Sequence, residues 1–577
     1  GAAFSGNEWK SALLIRWDNL LQDEADDFAP INTSARKSRV PLTNKLTMDS
    51  GDPSQAATIQ HLVPAEAIAG KRFGLFIEPP LCLKSDLYLK YIGPSDATYG
   101  TGWRSNSLGS FADGAIYLTG GISEGVSGRG VTIDNPVYEV GGSSVYTPVF
   151  LGGVSTFTGP LTIASGMLRL LGDGRFEGDS HALGTNNSVC ATSGSGVLDL
   201  AGTRAGLDGN TLHLGGFPAR AELGTLVNSN PDPLVPGEWA GAIVIDAATR
   251  LGGYSQMPSG AELGGGDIVL SGPVSGSADV DLANRREVVL AGDNTDFSGN
   301  WNLTDGFLRL RGANPVGTGT LNFLNTSVNP YGAAYRFGAA DDTDLSTVAY
   351  NVSNRNVRID VADGLTYRPA WGFKGLAVEN TNAQLVKSGR GTLCLSEPNV
   401  YTGTRANYDW NTWLAVADGT VVLDYTENHG AKLVGASADN TVSRSGTVRL
   451  GERVTLEVKG TPDDGIGFWQ YLLAPGAFAT VRFDADGASA GKGYWFARGK
   501  IATDGVAKGL QGGVLNIEAD PAKWKLRTNT EDASAYVGEK VAHDADYPSI
   551  RSPGELWNGT TFTCRDGEAL VPVADTA

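Results

Sequence analysis

The chain has 577 residues, 41% hydrophobic and 19% charged, and its formal charge of −18 comes without any stripe of Lys and Arg. That balance argues against nucleic acid and anionic membrane as partners, because both need clustered cations. No apolar run reaches the roughly 20 residues of a membrane-spanning helix, and the scattered cysteines Cys82, Cys190, Cys394 and Cys564 specify neither a disulfide framework nor a zinc site.

The length exceeds what one compact core organises, so several domains or one repetitive body are expected. With 78 Gly and 26 Pro, turns are frequent. Between them Val, Ile, Leu and aromatic residues fall in bursts of strand length, which makes the class mainly β. The opening GAAFSGNEWK has no signal-peptide zoning. Export then implies that a leader has been removed or that the numbered chain is part of something longer.

The first element is predicted as a helix. In EWKSALLIRWDNLLQDEADDF, Leu13, Leu14, Trp17, Leu20 and Leu21 recur at helical spacing. The bursts RFGLFIEPPLCL and DLYLKYIG follow and read as strands. Residues 1–110 are expected to form an N-terminal cap of mixed structure, since an open β end exposes unpaired backbone groups unless it is covered.

From about residue 111 the sequence repeats itself. The triplets FTG (Phe157 to Gly159), FSG (Phe297 to Gly299) and YTG (Tyr401 to Gly403) each follow an apolar strand and a small polar turn. Each precedes a short segment, a glycine and an alternating strand. Gly166, Gly306 and Gly419 stand before Leu168 and Leu170, Leu308 and Leu310, and Val421 and Leu423. A period of two buries one face of a strand, and glycine at fixed offsets supplies backbone angles that a Cβ resists. Strand, corner, strand, corner without intervening helix describes coils that stack, because one coil cannot bury its own face.

Lys387, Gly389, Gly391, Leu393, Leu395, Asn399, Tyr401, Thr402 and Gly403 match the signature of the autotransporter-associated β-strand repeat, also called the passenger-associated transport repeat. The chain resembles that family over roughly 140–460. AGDNTDFSG is the next best copy, and the corners HALGTNN and NPVGTGTLNF fit a second family feature. The resemblance implies an all-β fold, a right-handed parallel β-helix over 111–460 with coils of about 20–25 residues, and a secreted or bacterial cell-surface location. The third copy departs from the pattern by inserting RANYDWNTW. Residues 461–577 are expected to form a β-rich C-terminal cap. The end EALVPVADTA lacks the strands and aromatic last residue of an outer-membrane barrel, which leaves the export route open.

Candidate chemistry is sparse. His61, His181, His213, His429 and His543 are dispersed and read as surface or turn residues. Asp341, Asp342 and Asp344, Asp463 and Asp464, and Asp484 and Asp486 cluster in turns. Solvated turns are the default there, with calcium as the alternative, and no other cofactor is implied. Arg285, Arg286 and Glu287 put charge beside a strand without completing the base-and-cation set of a polysaccharide lyase or the facing acids of a hydrolase. The balance leans against an enzyme. Tyr408, Trp410 and Trp413 in the insertion are the best binding candidates, since aromatics in a polar loop offer a platform for sugar rings, against the alternative that they close an apolar gap. The expected role is structural or adhesive, through self-association or surface glycans; a carbohydrate-binding or polysaccharide-degrading β-helix is the alternative.

Overall fold

The computed structural model describes, with short gaps, residues 12–16, 45–62, 75–92, 105–110, 116–324, 334–337, 348–351, 357–377, 385–402, 412–428 and 447–483, together with four short strands within 493–527. Its regular elements are all β-strands, and no helix is long and apolar enough to cross a membrane. The chain divides into two units, Gly1–Phe307 with Gly312–Gly319, and Leu308–Arg311 with Thr320–Ala577.

The first unit is a parallel β-helix in which each coil passes through three strand faces. On the first face Leu87, Val131, Leu161, Val189, Leu212, Ile243 and Val274 are register partners of one another in turn. All are buried. The second face carries Ile116, Val149, Leu168, Leu198, Leu226, Leu251 and Leu282 in the same relation. Ala205, Trp239, Leu270 and Leu290 form a column on the third. Parallel neighbours lie about 4.8 Å apart, so each column is a continuous apolar stripe whose burial contributes roughly 25 cal/mol per Å² of surface removed from water.

Coil length is far from uniform. Ile268 and Val288 are partners 20 residues apart, whereas Leu87 and Val131 are 44 apart. Residues are added between faces, where antiparallel hairpins branch off: Ser105–Asn106 with Gly109–Ser110 in that long coil, and Val137–Val140 with Ser143–Tyr146 and Tyr254–Gln256 with Glu262–Gly264 in others. The expectation of about 20–25 residues per coil therefore holds only for the short coils.

The predicted N-terminal helix is not formed over its described part. Ala12–Arg16 is a strand lying parallel to Thr58–Leu62. The run ALLIR is apolar enough for either structure, and pairing with an available strand edge satisfies its backbone at once, so tertiary context overrides the helical spacing. Trp17, Leu20 and Leu21 lie outside the described residues.

The second unit is built in the same way. Val357, Leu385, Leu414 and Val448 stack on one face, and Leu393, Val421, Leu456 and Val481 on another. These ladders run beyond residue 460, with Thr455–Val458 pairing Thr480–Phe483 and Phe478–Arg482 pairing Val514–Glu518.

Where a coil turns between faces, its backbone passes close to the coil beneath. Gly306 has φ +79°, and a Cβ there would overlap the carbonyl oxygen of Asn284. The left-handed angle and the missing space both exclude a side chain. We expect Gly306→Ala to lower unfolding stability by about 3 kcal/mol or more in urea denaturation; a loss below about 1 kcal/mol would show that the corner relaxes freely.

Candidate functional site

The repeat signature is a set of corner solutions. Phe157 and Phe297 are fully buried, and each receives the corner of the following coil: the Phe157 carbonyl accepts the Thr185 N–H and the Phe297 carbonyl accepts the Thr318 N–H, both at 2.9 Å. The two motifs that recur separately in the sequence, the aromatic triplet and the small-residue corner, thus sit one on the other. A polar residue two or three positions before the aromatic ties downward as well. Ser155 Oγ accepts the Ile122 N–H at 2.9 Å, and Asn294 Oδ1 accepts the Val274 N–H at 2.8 Å. Gly159 lies against the Arg129 carbonyl group and Gly299 against that of Ala278. Gly166 and Gly419 share the positive φ of Gly306.

The copies occupy different faces, however. The first starts its strand on the first face at Leu161, while Trp301 and Leu303 follow Val280 and Leu282 on the second, as the bonds from Asn302 to Asp281 and from Thr304 to the Leu282 carbonyl record. The motif therefore specifies a turn and not a fixed angular position. In the third copy Tyr401 lies in the strand Val400–Thr402, parallel to Lys374–Ala377; its side chain and Gly403 lie outside the described residues.

Of the aromatic candidates, Tyr408 and Trp410 also lie outside them. Trp413 is in the strand Thr412–Val416, at a bulge: Thr412 pairs Thr447 and Leu414 pairs Val448, so the register skips it. Asp341, Asp342, Asp344, Asp463, Asp464, Asp484, Asp486, His429 and His543 are likewise outside. Among the described residues no group of three or more His, Cys, Asp or Glu is placed to hold a metal ion. Arg286 and Glu287 lie in the strand Val280–Leu290, where the Glu287 N–H donates to Asp267 at 3.0 Å.

The outward titratable groups are tied between coils. Asp134 accepts from Tyr88 and from Ser165 and lies 3.7 Å from Lys90. The Tyr88 bond holds the Asp134 carboxyl below its usual range, while burial and that charge push Tyr88 up to about 12. Burial raises Glu124, but the N–H groups of Thr158, Arg129 and Gly128 and the Thr158 hydroxyl outweigh it and hold the carboxyl low. His213 is the register partner of Cys190 and bonds Asp246 at 3.1 Å. This ordering of thiol, imidazole and carboxylate resembles a nucleophilic triad. Yet burial pushes the Cys190 thiol up, the reverse of nucleophile activation.

Two sites of buried charge add to the sequence reading, which named Lys387 only as part of the repeat signature and did not name Arg169 or Asp199. Arg169 donates to Asp199 at 2.6 Å with both side chains almost fully buried, and it lies over the Phe150 ring, which in turn stacks on Tyr117. The four are partners in register, a single outward column under cover. In RLL, Arg169 falls on the outward phase between Leu168 and Leu170, and nothing local announces the cover. The second is Lys387, which occupies an inward position, and burial lowers its ammonium to about 8. Its signal was present in LVKS, where a period of two places Lys387 on the side of Leu385.

No known protein family, no curated protein and no solved structure matches this chain.

Two outcomes follow from the charges. Asp199→Ala removes the carboxylate paired with a buried guanidinium and should cost on the order of 3–5 kcal/mol in denaturant unfolding, whereas Arg169→Met with Asp199→Asn, which keeps an acceptor for the Ala201 and Ser229 N–H groups, should restore most of the loss; a double variant as unstable as the single would show that the charges themselves are required. His181 bonds Asp208 at 2.8 Å and lies 3.6 Å from Asp173, and the Asp208 bond raises its imidazole. A folded value above the unfolded one of about 6.5 means that its contribution is complete below that pH and fades as pH rises through the folded value. The stability gap between wild type and His181→Gln should be at most about 1 kcal/mol at pH 5.5 and should shrink by pH 8.5; an equal gap at both values refutes the tie.

Proposed function

We propose that the chain is a structural and adhesive parallel β-helix of a bacterium, placed outside the cell or on its surface, where copies associate into a coat, sheath or fibre. The observation that carries this reading is the use made of outward polar groups. Coil after coil, carboxylates that would serve a hydrolase or lyase are engaged by donors of an adjacent coil: Arg204 and Ser271 hold Glu238, Arg250 and Asn302 hold Asp281, and Ser388 holds Asp360. Such ties stiffen a rod and commit the acids to cross-linking. The resemblance to autotransporter-associated repeats supports the same location and role.

Carbohydrate binding is the second reading, favoured by the register irregularity between Thr412 and Leu414, in the strand that follows the aromatic insertion in sequence. A concentration series by light scattering separates the two. The structural role predicts particle mass rising with concentration. A mass fixed at the monomer, together with glycan-array retention abolished by Trp410→Ala and Trp413→Ala in a folded protein, would replace it by the second.

A further inference from the structure

Lys387 stands in a column that is otherwise apolar. Its register partners are Ile359 below and Val416 above, and Leu450 follows. All three are buried, as is Lys387. The ammonium donates to three backbone carbonyls: those of Ser388 at 2.9 Å and Gly389 at 2.5 Å in its own corner, and that of Asp418 at 3.1 Å in the corner of the next coil. The charged groups facing it are Asp418 from that coil and Asp360 from the coil beneath, which is itself held by the Ser388 hydroxyl and lies 3.7 Å from Arg358.

Stability alone does not explain this residue. Burial lowers the Lys387 ammonium below the ordinary lysine value of about 10.4, so folding disfavours the charge, and the protein gains stability as pH rises from about 8 toward that value. A methionine would fill the column without that penalty. The apolar columns have a different shortcoming. Every second residue faces inward, so sliding one coil by two residues puts Val or Leu over Leu or Val and leaves the core intact.

We propose that Lys387 is a register pin, an inward charge that reaches the Asp418 carbonyl of the next coil in one alignment and not in the slipped one, where only the two carbonyls of its own corner stay with it. The bond to Asp418 spans two coils, so a two-residue slip breaks it while the buried charge remains. In the first unit, corners of the same kind are crossed by neutral amides. Asn284 donates to Gly266 of the coil beneath at 2.8 Å, and Asn210 to Gly184 at 3.0 Å.

Native Cys394 makes the register measurable. Its partner in the next coil is Val422, about 4.8 Å away along the stacking direction and within disulfide reach. Thr420 lies two positions off, at about 8 Å, beyond it. With oxidised glutathione and peptide mapping, Val422→Cys should cross-link to Cys394 and Thr420→Cys should not. Adding Lys387→Met should let Thr420→Cys cross-link at a yield at least tenfold above the parent. In hydrogen exchange, the segment 385–424 should split from one mass envelope into two while its overall protection is kept or increased. If Lys387→Met leaves the cross-link pattern and the single envelope unchanged, the pin is refuted. If the segment loses its protection altogether, the ammonium is a stabiliser and the proposal fails equally.

Discussion

Parallel winding places each residue directly over a counterpart in the next coil, so a side chain is judged by what stacks on itself. Along the inward columns the requirement is simple, and Val, Leu and Ile meet it from Leu87 to Val274 and from Ile116 to Leu282. At the corners the backbones approach closely, and the sequence answers with glycine or with a buried amide such as Asn187, which donates to the Gly159 and Leu183 carbonyls. Outside, unlike groups alternate vertically: Arg204 is paired with Glu238 and Arg250 with Asp281. Like charges stacked at such spacing would repel, so the outer surface carries alternating sign where these charges recur on one stripe.

Much of this was legible in the residues. Period two, glycine at regular offsets and the recurrent aromatic triplet lead to stacked parallel coils, and Phe157 and Phe297 lie buried at corners as such a solution requires. The local pattern could not convey coil phase. Because the motif describes a turn between two faces, the copies at Leu161 and at Trp301 begin on different faces although their sequences align. Nor does local pattern fix coil length, since a hairpin such as Val137–Tyr146 adds residues while Val131 stays paired with Leu161 before it and Val149 with Leu168 after it.

The stretch Ala12–Arg16 marks a different limit. Its apolar residues fit a helix by spacing and a strand by composition, and the choice falls to Thr58–Leu62, a partner more than forty residues away. The burial of Arg169 and Asp199 is likewise absent from the local pattern, and Asp199 is tied to the N–H of Ser229, 30 residues on. Trp413 falls at a bulge that only a register can reveal, and the histidines His181 and His213, read as surface or turn residues, are paired with the carboxylates of Asp208 and Asp246, 27 and 33 residues away.

The hairpins between faces carry a wider consequence. Closing a loop costs entropy that grows only logarithmically, about 0.6 kcal/mol for each doubling of its length. The corner at Val137–Tyr146 leaves Val131 and Leu161 aligned despite its added residues. Such a scaffold can exchange its decorations for others of different size and chemistry while the rungs keep their partners, so the surface between faces can diversify independently of the coils that bear it.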